Sequence, residues 1–312
     1  METVTGFVGR DLELEQAISA LNSGASIVVK GWPGIGKSAF LRQVFKRLSA
    51  EKPCIWVPDK NLKAMTFEIA EQVHRQVSLK VPERYIPQRY RAQAYQTGQI
   101  SWEIIKRTVS RAPSIDVMQL VFESLRGKGV IVFIDSLEVP PSQAEMFQEL
   151  GNVAQLAACL SEENRRIRIQ KLLWKFQQTI ELKPLRKDQV RLLVESWLNK
   201  KELYFSSNNI RESFIRAVVQ DSGGVPTAIE GMLAAATNDG EVTRARVRNY
   251  RHEAGTRYVD MMPVIVIAAL GFMAMRYVSR GMGVVELYVL SGVATVVFYG
   301  AMYLLRSLSR KY

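Results

Sequence analysis

The sequence predicts an α/β fold: a parallel sheet flanked by helices, then a helical lid, then a pair of apolar helices at the C-terminal end. Three observations predict it. An apolar strand at 26–30 (SIVVK) runs through a glycine-rich loop into a helix. The run GVIVFID at 129–135 has the pattern of a buried parallel strand ending in an acid, and two long uncharged stretches, 261–275 and 287–305, close the chain. At 312 residues there is room for one large domain or two moderate ones with a substantial apolar core.

The first residues, METVTGFVGRDLELEQ, carry acids early and no apolar stretch of signal-peptide length, so the bulk of the protein is expected to stay where it was made. The loop that follows the first strand reads GWPGIGKS, 31–38. After it, Phe40, Leu41, Val44, Phe45 and Leu48 recur at helical spacing. Strand, loop and helix in this order form the P-loop of nucleoside triphosphatases. Gly31, Gly34 and Gly36 let the backbone bend so that its N–H groups face phosphate oxygens, and the helix N-terminus adds positive potential there. The expected nucleotide-binding set is Gly31, Gly34, Ile35, Gly36, Lys37, Ser38 and Ala39. Lys37 is expected to reach the β and γ phosphates, and the Ser38 hydroxyl to be a ligand of Mg2+ with ATP as the cofactor.

Residues 54–57 read as a second strand and 64–77 as a helix. The stretch between Lys37 and Asp135 is longer than these elements and their connections need, which marks 78–113 as an insertion. It is basic, with Lys80, Arg84, Arg89, Arg91, Lys106, Arg107 and Arg111 against Glu83 and Glu103, and it interleaves Tyr85, Tyr90, Tyr95 and Trp102. Alternating cations and aromatics suit phosphates and bases, yet equally suit a protein partner or lipid headgroups. An interaction or oligomerisation insert is favoured over nucleic acid, because no known nucleic-acid module is present. Asp135, at the tip of the 129–135 strand, is the expected second partner of Mg2+.

Three segments carry a family resemblance. FVGR at 7–10 followed by DLELEQAISAL, ELKPLRKDQVRLLVESWL at 181–198 and SGGVPTAIEGML at 222–233 stand in the order found in AAA+ and STAND P-loop ATPases, including archaeal-type ATPases and NB-ARC proteins. The chain resembles that group over about residues 5–238. The resemblance implies that Phe7, Val8 and Gly9 line the base site, that a helical lid follows the sheet, that Pro226 closes over the nucleotide, and that the protein forms a homo-oligomer. Many AAA+ relatives carry Glu directly after the Mg2+-linked acid as general base. This chain has Ser136 there and offers Glu138 two residues later, so Lys37, Asp135 and Glu138 are the catalytic candidates and ATP hydrolysis is expected to be slow. A sensor strand with a polar tip is expected before the lid, but RRIRIQKLLWKFQQ at 165–178 gives no clean match. Arg165, Arg166 and Arg168 are candidates for arginines acting across a subunit interface, with a solvated basic face as the plainer reading.

The two cysteines, Cys54 and Cys159, stand in apolar surroundings, and the two histidines, His74 and His252, have no companions, which argues against a disulfide framework and a metal cluster. The formal charge of +12 is partly explained near the C-terminus. Arg244, Arg246, Arg248, Arg251 and Arg257 precede the first uncharged run, while Arg306, Arg310 and Lys311 follow the second. Such runs suit two membrane-spanning helices joined near 279–283, with both ends and the ATPase domain on the cytoplasmic side of an inner membrane. Glu286 sits near the turn, and Gly292 and Gly300 suit close helix contacts.

The expected organisation is an ATPase domain at 1–180, the lid at 181–240, a basic juxtamembrane segment at 241–258, two transmembrane helices at 259–306 and a basic tail at 307–312. The leading functional expectation is a membrane-anchored, oligomerising ATP-dependent switch or remodeller whose protein partner the sequence does not name. Two alternatives stand beside it. One is a membrane-perturbing effector of a bacterial defence or cell-death system, controlled by ATP-dependent assembly; the other is an ATPase that tethers nucleic acid at the membrane.

Overall fold

A computed structural model describes residues 9–91, 100–161, 171–200, 203–239, 241 and 242, and scattered positions between 270 and 292. The chain forms two compact units, Met1–Thr256 and Arg257–Tyr312. In the first, the described elements run α1 (Asp11–Asn22), β1 (Ile27–Gly31), α2 (Lys37–Leu48), β2 (Cys54–Val57), α3 (Leu62–Val77), two single-turn helices (Glu83–Tyr85 and Gln88–Tyr90), α4 (Trp102–Arg111), α5 (Ser114–Leu125), β3 (Ile131–Ile134), α6 (Pro141–Val153), β4 (Gln155–Ser161), β5 (Gln178–Glu181), α7 (Lys187–Lys200), β6 (Tyr204–Phe205), α8 (Asn208–Asp221), α9 (Pro226–Asp239) and β7 (Glu241–Val242).

Five strands make one parallel sheet in the order β2-β3-β4-β1-β5. Both faces are covered, and the strict alternation of strand side chains divides the core accordingly. Ile27 and Val29 of β1, Ile131 and Phe133 of β3, and Ala157 and Cys159 of β4 point to one face, where α1 and α2 bring Leu14, Leu21, Phe40 and Leu41. Val28, Val132, Ile134, Ala158 and Leu160 point to the other, against α3 and α5. Helix α3 begins on an Asn61 side chain that accepts the Ala64 N–H at 3.0 Å, and its apolar face places Met65, Ile69, Ala70 and Val73 on the sheet. Each large side chain buried this way, such as Phe133, stabilises the fold by about 1.5–3 kcal/mol.

The expected strand at 54–57 is β2, and the helix expected at 64–77 begins two residues earlier. A further strand, β4, stands ahead of the 165–178 segment and between β1 and β3. Its sequence, QLAACLS, has no β-branched residue, and the small Ala157 stands between Ile27 of β1 and Phe133 of β3. Arg165, Arg166 and Arg168 lie outside the described residues.

The insertion's described part is folded onto the domain. Tyr85 is buried with Ile105 and Val109 of α4, and Trp102 packs on Phe67 and His74 with ring centroids 5.3 and 5.7 Å apart. Arg84 lies over Tyr85 and Arg89 over Tyr90, while Arg91 pairs with Glu83 at 3.2 Å. Several of the cations and aromatics that suited nucleic acid are thus engaged within the chain. Tyr95 falls outside the described residues.

The lid has its own core, with Val190, Val194 and Trp197 of α7 meeting Phe214 and Val218 of α8 and Ile229 and Met232 of α9. In the second unit, the described positions from 270 to 292 are helical, with a turn at Met282. Among the described residues no helix is long and apolar enough to cross a membrane. Most of the two expected spans, the juxtamembrane segment and the tail lies outside the described residues.

Candidate functional site

Because the sheet is parallel, the loop after β1 and the acid after β3 emerge at the same edge, with β4 between them. Neighbouring strands lie about 4.8 Å apart, so the two tips stand roughly 10 Å from each other. A triphosphate with its metal fits between groups so placed, and the carboxyl ends of such strands are where α/β sheets bind ligands.

The loop is held in shape by its own carbonyls. Lys37 Nζ donates to the carbonyls of Gly31 (2.8 Å) and Trp32 (3.0 Å), Ile35 N–H donates to Trp32, and Phe40 N–H donates to Gly36 to start α2. Carbonyls engaged in this way leave amide groups for an anion. Ser38 is exposed in the first turn of α2, Ala39 beside it is half-buried, and Ile35 is fully buried in the core beneath the loop. Ile35 and Ala39 belong to the expected binding set through their backbone, and the Ile35 side chain anchors the loop on the core.

Asp135 stands just past β3, level with Cys159 of β4. Its Oδ1 is buried and has no hydrogen-bond partner among the described residues. An ionised carboxylate oxygen left in this condition is costly unless a cation meets it, so the donor set of Ser38 and Asp135 fits Mg2+, completed by phosphate oxygens and water. The Cys159 thiol reports the same geometry. Burial raises its pKa most, Asp135 raises it further, and Lys37 opposes both, so all three groups share one neighbourhood. Glu138 is exposed on the loop after β3. Its N–H donates to Ser136 Oγ at 3.0 Å, and Leu137 N–H donates to Cys159. Ser136 therefore shapes the turn that carries Glu138.

The lid meets this loop directly. Pro226 opens α9, and its Cγ lies 3.7 Å from where a Cβ on Gly36 would stand. Thr227 donates to the Gly34 carbonyl twice, from its hydroxyl at 2.9 Å and from its N–H at 3.2 Å. Gly34 has φ +75°, and a side chain there would meet Thr227 at 3.1 Å and Val225 at 3.3 Å, so glycine is required by conformation and by the lid. Phe7 and Val8, expected at the base, lie outside the described residues. Gly9 is described, and its carbonyl accepts from Gln189 of α7 at 2.9 Å, which ties the expected base segment to the lid.

Two positions escaped the sequence reading. Arg10 is only 5% exposed, donating to the Ile35 carbonyl at 2.7 Å and to Lys183 at 3.4 Å, and burial lowers its pKa while Glu13 opposes. It lies inside the FVGR segment, so its motif was visible although its task was not. Thr227 adjoins Pro226, but nothing local marks a threonine as touching a loop so far back in the chain.

No protein-family model matches the chain, and no curated protein matches it. Among solved structures, it is similar to the Aeropyrum pernix Orc1 protein in complex with DNA, at 15% identity and a TM-score of 0.52, covering 95% of this chain and 80% of that one. It is similar also to Cdc6p from Pyrobaculum aerophilum, at 14% identity and a TM-score of 0.52, covering 97% of this chain and 88% of that one. These likenesses show the fold alone, an α/β fold with a parallel sheet like that of AAA+ P-loop ATPases.

Proposed function

We propose that this chain binds MgATP between the P-loop and Asp135 and works as an ATP-dependent switch or remodeller held at a membrane by its C-terminal segment. The observation that carries the nucleotide half is the pairing of a P-loop with a buried, unpartnered Asp135 oxygen at the same sheet edge, closed by a lid that touches the loop. Lys37 and the loop amides take the phosphates, while Ser38 and Asp135 take the metal. Glu138 orients water less directly than an acid at position 136 would, which makes turnover slow. Assembly into a homo-oligomer, and membership of the STAND branch within the AAA+ fold, rest on the motif order.

The membrane half is supported by the uncharged runs and by the described residues of the second unit. Leu270, Met273, Met275, Tyr277, Val278 and Val289 are all exposed there, and so many exposed apolar side chains call for an apolar neighbour. The flanking arginines put the ATPase domain on the cytoplasmic side.

Nucleotide binding is tested by titrating MgATP into the wild type and Lys37→Ala. Binding that is lost in the variant is expected, and equal binding would remove the site. Glu138→Gln is expected to lower hydrolysis more than binding; unchanged turnover would take Glu138 out of the mechanism.

A second reading, an ATPase that holds nucleic acid, is favoured by one observation: the Aeropyrum pernix relative was solved in complex with DNA. It predicts salt-sensitive binding of duplex or single-stranded DNA that weakens when Arg107 and Arg111 are neutralised. No binding at low salt would dismiss it.

A further inference from the structure

The phosphate loop of this protein is held from outside by two residues that belong to other parts of the chain. Carbonyls of Gly31, Trp32, Gly34, Ile35 and Gly36 all accept hydrogen bonds. Three of these acceptors are served from within the loop and α2. The other two are served by Thr227, on the lid, and Arg10, before α1.

What such contacts do follows from peptide geometry. A peptide unit is planar and, in this chain, trans at every described position, so its carbonyl and its N–H point to opposite sides. Fixing the Gly34 carbonyl toward Thr227 therefore turns the Ile35 N–H the other way, where the Trp32 carbonyl receives it. Fixing the Ile35 carbonyl toward Arg10 turns the Gly36 N–H away from Arg10. The loop's curvature is thus set by donors that grip its outer surface.

Thr227 is unusual in how it grips. Pro226 has no N–H, so the Thr227 N–H is the first donor of α9, one of the backbone groups a helix start leaves without a partner. That donor is normally capped by a side chain close in sequence. Here it is capped by a carbonyl of the phosphate loop, and the hydroxyl of the same residue adds a second bond to the same atom. Thr227 is exposed and adds nothing to the lid core, which is built from Ile229, Met232 and their neighbours. Gly34 supplies the room, since any side chain there would strike Thr227 and Val225.

We infer that Thr227 is a positioning residue of the phosphate loop: by holding the Gly34 carbonyl with both its N–H and its hydroxyl, it ties lid docking to the Ile35–Trp32 turn and so to the shape in which the loop meets the phosphates of a nucleotide. The lid and the loop then share one conformational equilibrium. A docked lid presents a shaped loop, and a loop reshaped by phosphate secures the lid in return, because coupling between two sites is reciprocal. The inference rests on the nucleotide reading for its ligand, though the contact itself does not.

The experiment uses the full chain in detergent with Thr227→Val, which keeps shape and removes the hydroxyl, and Thr227→Ser, which keeps the hydroxyl. MgATP affinity is measured by calorimetry, and backbone amide exchange is followed in a peptide spanning 31–36 without nucleotide. The expected result is affinity about five- to tenfold weaker in Thr227→Val, the scale of one lost neutral hydrogen bond, with Thr227→Ser near the wild type. Exchange in 31–36 should quicken in Thr227→Val alone, while a peptide across β3 stays unchanged in all three. Equal affinity and equal exchange in the valine variant would overturn the inference, as would equal losses in both variants, since the hydroxyl would then be irrelevant. If the wild type binds no nucleotide, the nucleotide reading fails by itself. The exchange arm then decides: faster exchange in the valine variant alone supports the hold on the loop, and unchanged exchange removes it.

Discussion

His74 packs its ring against Trp102 and has a buried Nδ1 with no partner among the described residues. Burial lowers its pKa from the ordinary 6.5, with a hydrogen bond to the Ile100 backbone pulling the other way. The folded imidazole therefore holds fewer protons than the unfolded one as the pH falls below 6.5. Its contribution to stability is fully present above that value and is lost as the pH falls through the lowered folded value. Urea midpoints measured from neutral pH down to about 5.5 should decline in the wild type and decline less in His74→Gln, and parallel curves would show that His74 does not set the slope. The same physics raises the thiols, Cys54 to about 11 through burial and Cys159 beyond it through burial and Asp135. At this scale the sequence was informative about type and uninformative about contact. The positions of Lys37 and Ser38 at a loop-to-helix start and of Asp135 past a strand tip were legible because their motif fixes their neighbours along the chain. Arg10 and Thr227 were not, because each acts on a carbonyl supplied by a distant segment.

Helix α2 and strand β3 were readable as elements, since the first has the 3.6-residue apolar period and the second a continuous buried run. Strand β4 was not, and the reason is physical. It lies at the centre of the sheet with Ala157 beside Ile27 on one side and Phe133 on the other, so at that position neighbouring bulk rather than strand preference selects the residue. Ala157→Leu should overpack that layer and destabilise the domain by about 1–3 kcal/mol, read as a lower denaturant midpoint. A midpoint equal to the wild type would show that the layer has slack. Helix α4 makes the opposite point. Its basic face drew attention in the sequence, while its apolar residues Ile105 and Val109 dock it on the core and leave the charges outward.

Across the whole molecule, charge and hydropathy divide the labour. The sheet and lid carry the proposed nucleotide site, and the C-terminal unit carries large apolar side chains that are exposed in its described part. If that unit holds the protein at a membrane, full-length protein should float with liposomes through a density gradient at high salt, where attraction of basic residues to anionic lipid is screened. A chain ended after residue 256 should remain at the bottom. Flotation of both, or of neither, would sever the link between the C-terminal unit and the membrane.

The sequence by itself determined the α/β class, the phosphate loop on its strand and helix, and the acid at a second strand tip. Each of these depends on residues that are neighbours along the chain, where spacing and period carry the information. The tertiary structure decided that β4 separates the two tips, that the described part of the insertion folds onto the core, and that the lid seats Thr227 on Gly34. Those outcomes depend on which distant segments share a volume and on which carbonyl meets which donor, and local pattern does not encode that choice.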